Sequence, residues 1–191
     1  LLTMTGLSRA NLLYTGGGHF YLLMPNTEEV VSQLQQFENL LNAWFLKHFG
    51  NRLYIAFGWS EFSANEIMSK GTGIGSVYRR VSKILSERKL RRYSKEQLKD
   101  MFDWGSKLNS VGDGMRECNV CHTSANPDLL RPYVLGDDGT LACDTCNALA
   151  QLGQDVLNKD VFIVTSTAEG GIGLPGFGEE RYLEAVTPAE A

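Results

Sequence analysis

Two Cys-x-x-Cys pairs, Cys118-Asn119-Val120-Cys121 and Cys143-Asp144-Thr145-Cys146, constrain this 191-residue chain more tightly than any other feature. Two residues between cysteines let one tight turn present both thiolates to a single ion, and two such turns supply the four sulfurs that tetrahedral zinc takes. The twenty-one residues between the pairs suit a two-knuckle zinc ribbon. Within that interval, residues 130–135, 136–139 and 140–142 read as strand, turn and strand. A hairpin this small has little core of its own, so a structural zinc held by Cys118, Cys121, Cys143 and Cys146 is expected to cross-link it. Four thiolates close the shell, which speaks against a catalytic metal. Cys118 to His122 also matches a haem-attachment pattern, a chemistry of exported proteins that leaves the second pair without a role. A thioredoxin-like site needs one such pair at a helix start, not two facing pairs.

With no basic-then-apolar signal pattern opening the chain, the two pairs point to metal rather than disulfides, because a reducing cytosol keeps thiols free to ligate, and no apolar run approaches the roughly 20 residues of a membrane span. The chain is therefore expected to be cytoplasmic, with no membrane partner. It opens on Leu1 and reads as an interior piece of a longer protein. Its net charge of -4 argues against a surface built wholly to coat nucleic acid. The charge is uneven, however: nine of the 18 Lys and Arg residues fall between Arg79 and Lys99, against Glu87 and Glu96. Most such runs are solvated helix faces, and the functional reading is contact with RNA backbone or an acidic neighbour, with Arg88, Arg91 and Arg92 as the candidates.

The N-terminal part alternates strand and helix signals. Two short apolar runs flank Thr15-Gly16-Gly17-Gly18-His19, a hairpin with a glycine turn that Pro25 ends. Asn26 or Thr27 can cap a helix whose apolar face is Val30, Leu34, Phe37, Leu41, Trp44, Phe45 and His48, and Gly50 closes it. That face is expected to pack on a sheet, with residues 52–57 as a further strand. Strand, turn, strand, long helix, strand is half of a ferredoxin-like βαββαβ sheet. Helices are expected over residues 77–90, with Val77, Val81, Ile84 and Leu85 inward, and over 94–104, with a Ser94/Gln97 capping box. Gly71 to Ser76 lacks the Gly-Lys-Ser/Thr ending of a phosphate loop and reads as a loop entering a helix. Beyond the cysteines come an apolar helix near residues 149–157, a strand at 161–164, a glycine loop from Gly170 to Gly178, and a strand at 181–186. His48 reads as a helix-end or Trp44 contact, and Asp137 and Asp138 as turn residues.

Arg9, Asn11, Gly16-Gly17-Gly18-His19-Phe20, Leu22, Leu23 and Pro25 together resemble the central hairpin of the GGDEF and nucleotidyl-cyclase palm family. In that family two glycines approach a nucleotide phosphate and neighbouring acids carry metal. Here Gly18 and His19 stand where those acids would stand, so the hairpin cannot hold a catalytic pair of divalent ions. A degenerate palm with a GGG hairpin, a basic helical stretch and a four-cysteine ribbon resembles the large subunit of type III CRISPR effector complexes, most nearly the III-A form. The resemblance covers nearly the whole chain.

The resemblance implies an α+β fold: a ferredoxin-like palm over residues 1–108 with a basic helical extension, a zinc ribbon and helix over 109–160, and a return strand, glycine loop and terminal strand of the palm over 161–191. It implies a share of an ATP pocket at Gly16, Gly17, Gly18 and His19, and no catalytic residue in this chain. A second palm would cyclise ATP with divalent metal into oligoadenylates, and an HD domain would cleave single-stranded DNA. The implied partners are the other effector subunits, guide RNA and target RNA. A tight turn with no ligand, a stand-alone nucleotide sensor and a zinc-ribbon interaction module are the alternatives that the residues alone leave open.

Overall fold

The structure, a computed structural model, describes residues 1–71, 73–105, 114–167, 171–176 and 178–190. Contacts divide the chain into two compact units, Leu1–Asp100 and Met101–Ala191. The expected boundary between residues 108 and 109 and Gly170 of the glycine loop lie outside the described residues.

In the first unit, β1 (Leu12–Gly16) and β2 (His19–Leu22) form an antiparallel hairpin with Gly16 opposite His19. Gly17 and Gly18 connect them with φ of 57° and 75°. Two successive positive φ values make a turn whose twist matches the strands, and side chains resist that conformation. The register slips between Leu12 and Tyr14, so Leu13 is a bulge residue.

Helix α1 (Glu28–Phe49) begins where the Thr27 side chain accepts the Val30 N–H, with Glu28 and Glu29 at its positive end, and stops at Gly50 with φ 60°. It buries Val30, Leu34 and Leu41, joined by Phe37 and Phe45, against Phe57, Ile55 and Trp59. His48 stacks on Trp44 at 4.5 Å between ring centroids.

The partner of α1 is not a sheet. Residues 53–62 form neither strand nor helix. Side chains of α1 take the backbone groups that a strand neighbour would pair: Asn42 exchanges two 2.9 Å bonds with Ile55, and Glu38 accepts the Phe57 N–H at 3.1 Å. The strand expected at residues 52–57 is therefore an irregular segment laced to a helix. Helix α2 (Ala64–Met68), unforeseen from sequence, is capped by Ser63. Helix α3 (Gly73–Leu90) starts inside the glycine-rich stretch rather than at Val77, and it buries Val77 with Val81, Ile84 and Leu85 half-buried. Helix α4 (Lys95–Phe102) carries the expected capping box, Ser94 N–H to Gln97 Oε1 at 2.9 Å and Gln97 N–H to Ser94 Oγ at 3.2 Å.

The second unit holds three small antiparallel sheets among its described residues: β3 (Arg116–Glu117) with β4 (Ser124–Ala125), β5 (Leu130–Pro132) with β6 (Leu141–Cys143), and β7 (Val161–Thr165), β8 (Ile172–Leu174) and β9 (Arg181–Val186) in the order β7-β9-β8. β8 lies inside what reads in sequence as a glycine loop. Helix α5 (Asp144–Asp155) begins within the second cysteine pair, five residues before the start read from its apolar pattern, because Cys143 is itself the N-cap. The whole is a mixed α+β chain with small antiparallel sheets. Among the described residues no helix is long and apolar enough to cross a membrane.

Candidate functional sites

The four-cysteine cluster is built from two turns. At the first, Cys118 N–H donates to the Thr123 carbonyl at 3.0 Å and His122 N–H to the Cys118 carbonyl at 2.9 Å, with His122 at φ 56°. Asn119 ties this turn to β6, since its N–H donates to the Leu141 carbonyl and its side chain accepts the Leu141 N–H, each at 2.9 Å. At the second, β6 hands Cys143 to the start of α5, and Asn147 on α5 holds the β5–β6 turn through the Val134 N–H at 3.0 Å.

All four Sγ atoms lie within 4.8 Å of one another, and Cys121 and Cys143 are 3.9 Å apart. Sulfurs at tetrahedral zinc, about 2.3 Å from the ion, stand about 3.8 Å from each other. Cys118 and Cys146 are buried with Leu130 and Ala142, which shields the cluster on one side. Burial pushes the Cys143 and Cys146 thiols up. At Cys118 burial acts the same way but is outweighed by N–H groups of Cys121, Cys143 and Val120, which pull it down. Four sulfurs so close, with few donors to share, are costly as thiolates without a cation; the set fits a divalent, sulfur-seeking metal.

In the first unit, the glycine turn is exposed, with the His19 Nδ1 2.9 Å from the Gly17 carbonyl. A Cβ on Gly16 would come within 2.7 Å of the Tyr14 hydroxyl. Tyr14 meets Tyr21 at 6.0 Å, and Tyr21 meets Tyr78 of α3 edge-on at 5.0 Å. A cleft of about 440 Å³ is lined by β2, the first half of α1, residues 55–62 and α3, mostly with apolar groups such as Phe20, Leu34, Phe57 and Val81; Gly18 and His19 also line it. Gly16, Gly17, Gly18 and His19 are thus together on one turn.

The three candidate arginines are not alike. Arg91 and Arg92 are exposed, with Arg92 Nε donating to the Lys89 carbonyl at 3.1 Å. Arg88 turns inward instead. It pairs with the buried carboxylate of Glu38, and its guanidinium lies 4.7 Å from the centre of the Trp59 ring. Glu38 escaped the sequence reading, although its position four residues after Leu34, on the apolar stripe of α1, was a signal: a lone carboxylate there requires a cation.

A mixed α+β chain carrying a two-glycine-turn hairpin and a four-thiolate knuckle pair is the class of protein these features define. The family model described as Csm1 subunit domain B matches residues 1–104. A Streptococcus thermophilus protein named CRISPR system single-strand-specific deoxyribonuclease Cas10/Csm1 (subtype III-A) is 38% identical over 97% of this chain. Its namesake from Mycobacterium tuberculosis is 37% identical over 92%. The chain belongs to the Cas10/Csm1 family of subtype III-A CRISPR systems. It spans 22% of the length of each of these two relatives. Solved Csm1-Csm4 cassettes, one in complex with cA4 and one with AMPPNP, are each 30% identical over 51% of this chain and 14% of theirs, with a TM-score of 0.49.

Proposed function

We propose that this chain is the first, degenerate palm and the zinc ribbon of a III-A CRISPR large subunit, and that its glycine turn lines one side of an ATP pocket. The observation that carries the reading is the pair of positive φ values at Gly17 and Gly18 on an exposed turn, in a chain matched over nearly its whole length by Cas10/Csm1 relatives. A turn without side chains lets backbone N–H groups approach phosphate oxygens, and His19 adds a donor beside it. The hairpin itself, residues 12–22, carries no carboxylate. Catalytic metal and the cyclisation of ATP into oligoadenylates therefore belong to a second palm of the full-length protein, and single-stranded DNA cleavage to an HD domain.

The same reading extends to the rest of the chain. The palm is ferredoxin-like. Zinc occupies the Cys118, Cys121, Cys143 and Cys146 set as a structural ion. The basic span, with Arg91 and Arg92 as its exposed arginines, meets guide or target RNA, and the other effector subunits assemble around it in the cytoplasm.

The test uses the full-length protein with Gly17→Val and Gly18→Val, β-branched residues that resist positive φ. Calorimetric titration with a non-hydrolysable ATP analogue should show affinity about tenfold weaker, the loss of one to two phosphate hydrogen bonds at ~1 kcal/mol each. Unchanged affinity in both variants defeats the assignment.

A further inference from the structure

The four cysteines are not equally placed. Cys118 is fully buried, at 0% exposure, and its Sγ accepts the Cys143 N–H at 3.3 Å. Cys146 is buried in the first turn of α5, in the cluster with Leu130 and Ala142. Cys121 and Cys143 are only half-buried. Cys121 Sγ lies 3.2 Å from the hydroxyl of Thr123, an exposed residue, and Cys143 is followed by the exposed Asp144 and Thr145. Each Cys-x-x-Cys turn therefore joins one shielded sulfur to one within reach of solvent.

The two reachable sulfurs stand 3.9 Å apart, one from each turn. An S–S bond is about 2 Å long, so closing the pair takes a movement of roughly 2 Å. Oxidants select cysteines by exposure. A disulfide within either turn would draw on a shielded sulfur, and at Cys118 on one that a backbone N–H also holds. A disulfide between the turns, from Cys121 to Cys143, draws on neither.

We propose that Cys121 and Cys143 are an oxidation site for small hydroperoxides, and that the disulfide they form displaces the metal and takes over its tie between the two turns. This rests on the reading that a metal occupies the four sulfurs. The first sulfur to react cleaves the peroxide O–O bond, keeps one oxygen as a sulfenic acid and releases the other as water. The second sulfur attacks the first, the S–O bond breaks, and that oxygen leaves as a second water. Two electrons pass from the sulfur pair to the peroxide. Two protons complete the waters, supplied by the thiols or, for metal-bound sulfurs, by solvent. Cys118 and Cys146 alone cannot fill a tetrahedral shell, so the ion is lost. The new bond joins the β3–β4 turn to the last residue of β6, which keeps the two turns together without metal. Intracellular disulfides of this kind are transient and redox-sensing, and a thiol reductant with zinc restores the site.

The experiment treats the full-length protein, its zinc content first measured by elemental analysis, with hydrogen peroxide, against a control without peroxide. Released zinc is followed with a chromogenic chelator, remaining thiols are alkylated at intervals, and disulfides are mapped by tandem mass spectrometry. The expected result is loss of the zinc in step with a Cys121–Cys143 disulfide, with Cys118 and Cys146 still open to alkylation after denaturation. Dithiothreitol with added zinc should restore the metal, and residues 116–146 of the oxidised protein should resist protease better than those of chelator-stripped protein. Disulfides within the turns, Cys118 to Cys121 or Cys143 to Cys146, overturn the proposal and leave the metal reading standing. So do sulfinic acids without a disulfide, or zinc retained after the disulfide has formed. A protein that takes up no zinc even on reconstitution overturns the metal reading, and the proposal falls with it.

Discussion

Glu38 and Arg88 show how one buried carboxylate can decide the role of a residue 50 positions away. Glu38 has both oxygens engaged, one by the Phe57 N–H and one by the Arg88 guanidinium. Arg88→Met strands the carboxylate in an apolar setting and should lower stability by about 2 kcal/mol, less than for a wholly buried pair because the arginine is partly in water. Glu38→Leu combined with Arg88→Met should recover most of that, read by urea denaturation. A double variant as unstable as the single one would mean the pair is not what holds these elements. In the sequence Arg88 looks like any other member of a basic run. Its spacing from Val77, Val81 and Ile84 places it on the inward stripe of α3, but only the partner on α1 explains why a cation is tolerated there.

Elements here are ended and joined by local hydrogen bonds that carry measurable energy. Ser94→Ala removes the cap of α4 and should cost about 1 kcal/mol, seen as lost helical signal and earlier thermal melting. Ser94→Asp should retain it. The clasp between α2 and α3 is pH-dependent. Hydrogen bonds from Arg80, then from Ser76, hold the Glu66 carboxyl below its ordinary value. A carboxyl depressed in the folded state contributes fully above its unfolded pKa and loses that contribution as pH falls through the depressed value. NMR titration of the α2 amides should therefore show release only below the ordinary Glu range; a midpoint at the ordinary value would mean the clasp is not formed in solution. Caps, turns and the hairpin were legible in sequence because each depends on a few adjacent residues. The irregular course of residues 53–62 was not, because Asn42 and Glu38 satisfy its backbone from a distant helix.

At the scale of the molecule, two units of different construction share the chain. Leu1–Asp100 rests on an apolar core around α1, whereas the knuckles of the second unit have a core made largely of the cysteines themselves. Elemental analysis should find one zinc per chain, and Cys143→Ser should lose it. Stripping the metal with a chelator should expose residues 116–146 to protease while leaving the first unit resistant. Full metal retention in Cys143→Ser would refute the four-thiolate assignment, and an unchanged digestion pattern after stripping would show that the metal does not hold the ribbon.

The sequence by itself determined the two cysteine pairs that cluster, the glycine turn, the capped helices and the family resemblance, because spacing, φ preference and capping act over a few residues. Only the tertiary structure decided that α1 is paired with an irregular segment, that α5 springs directly from the second knuckle, and which cations of the basic run face inward. Those outcomes depend on which distant groups compete for the same backbone N–H, carboxylate or ring face, and no local pattern encodes the winner.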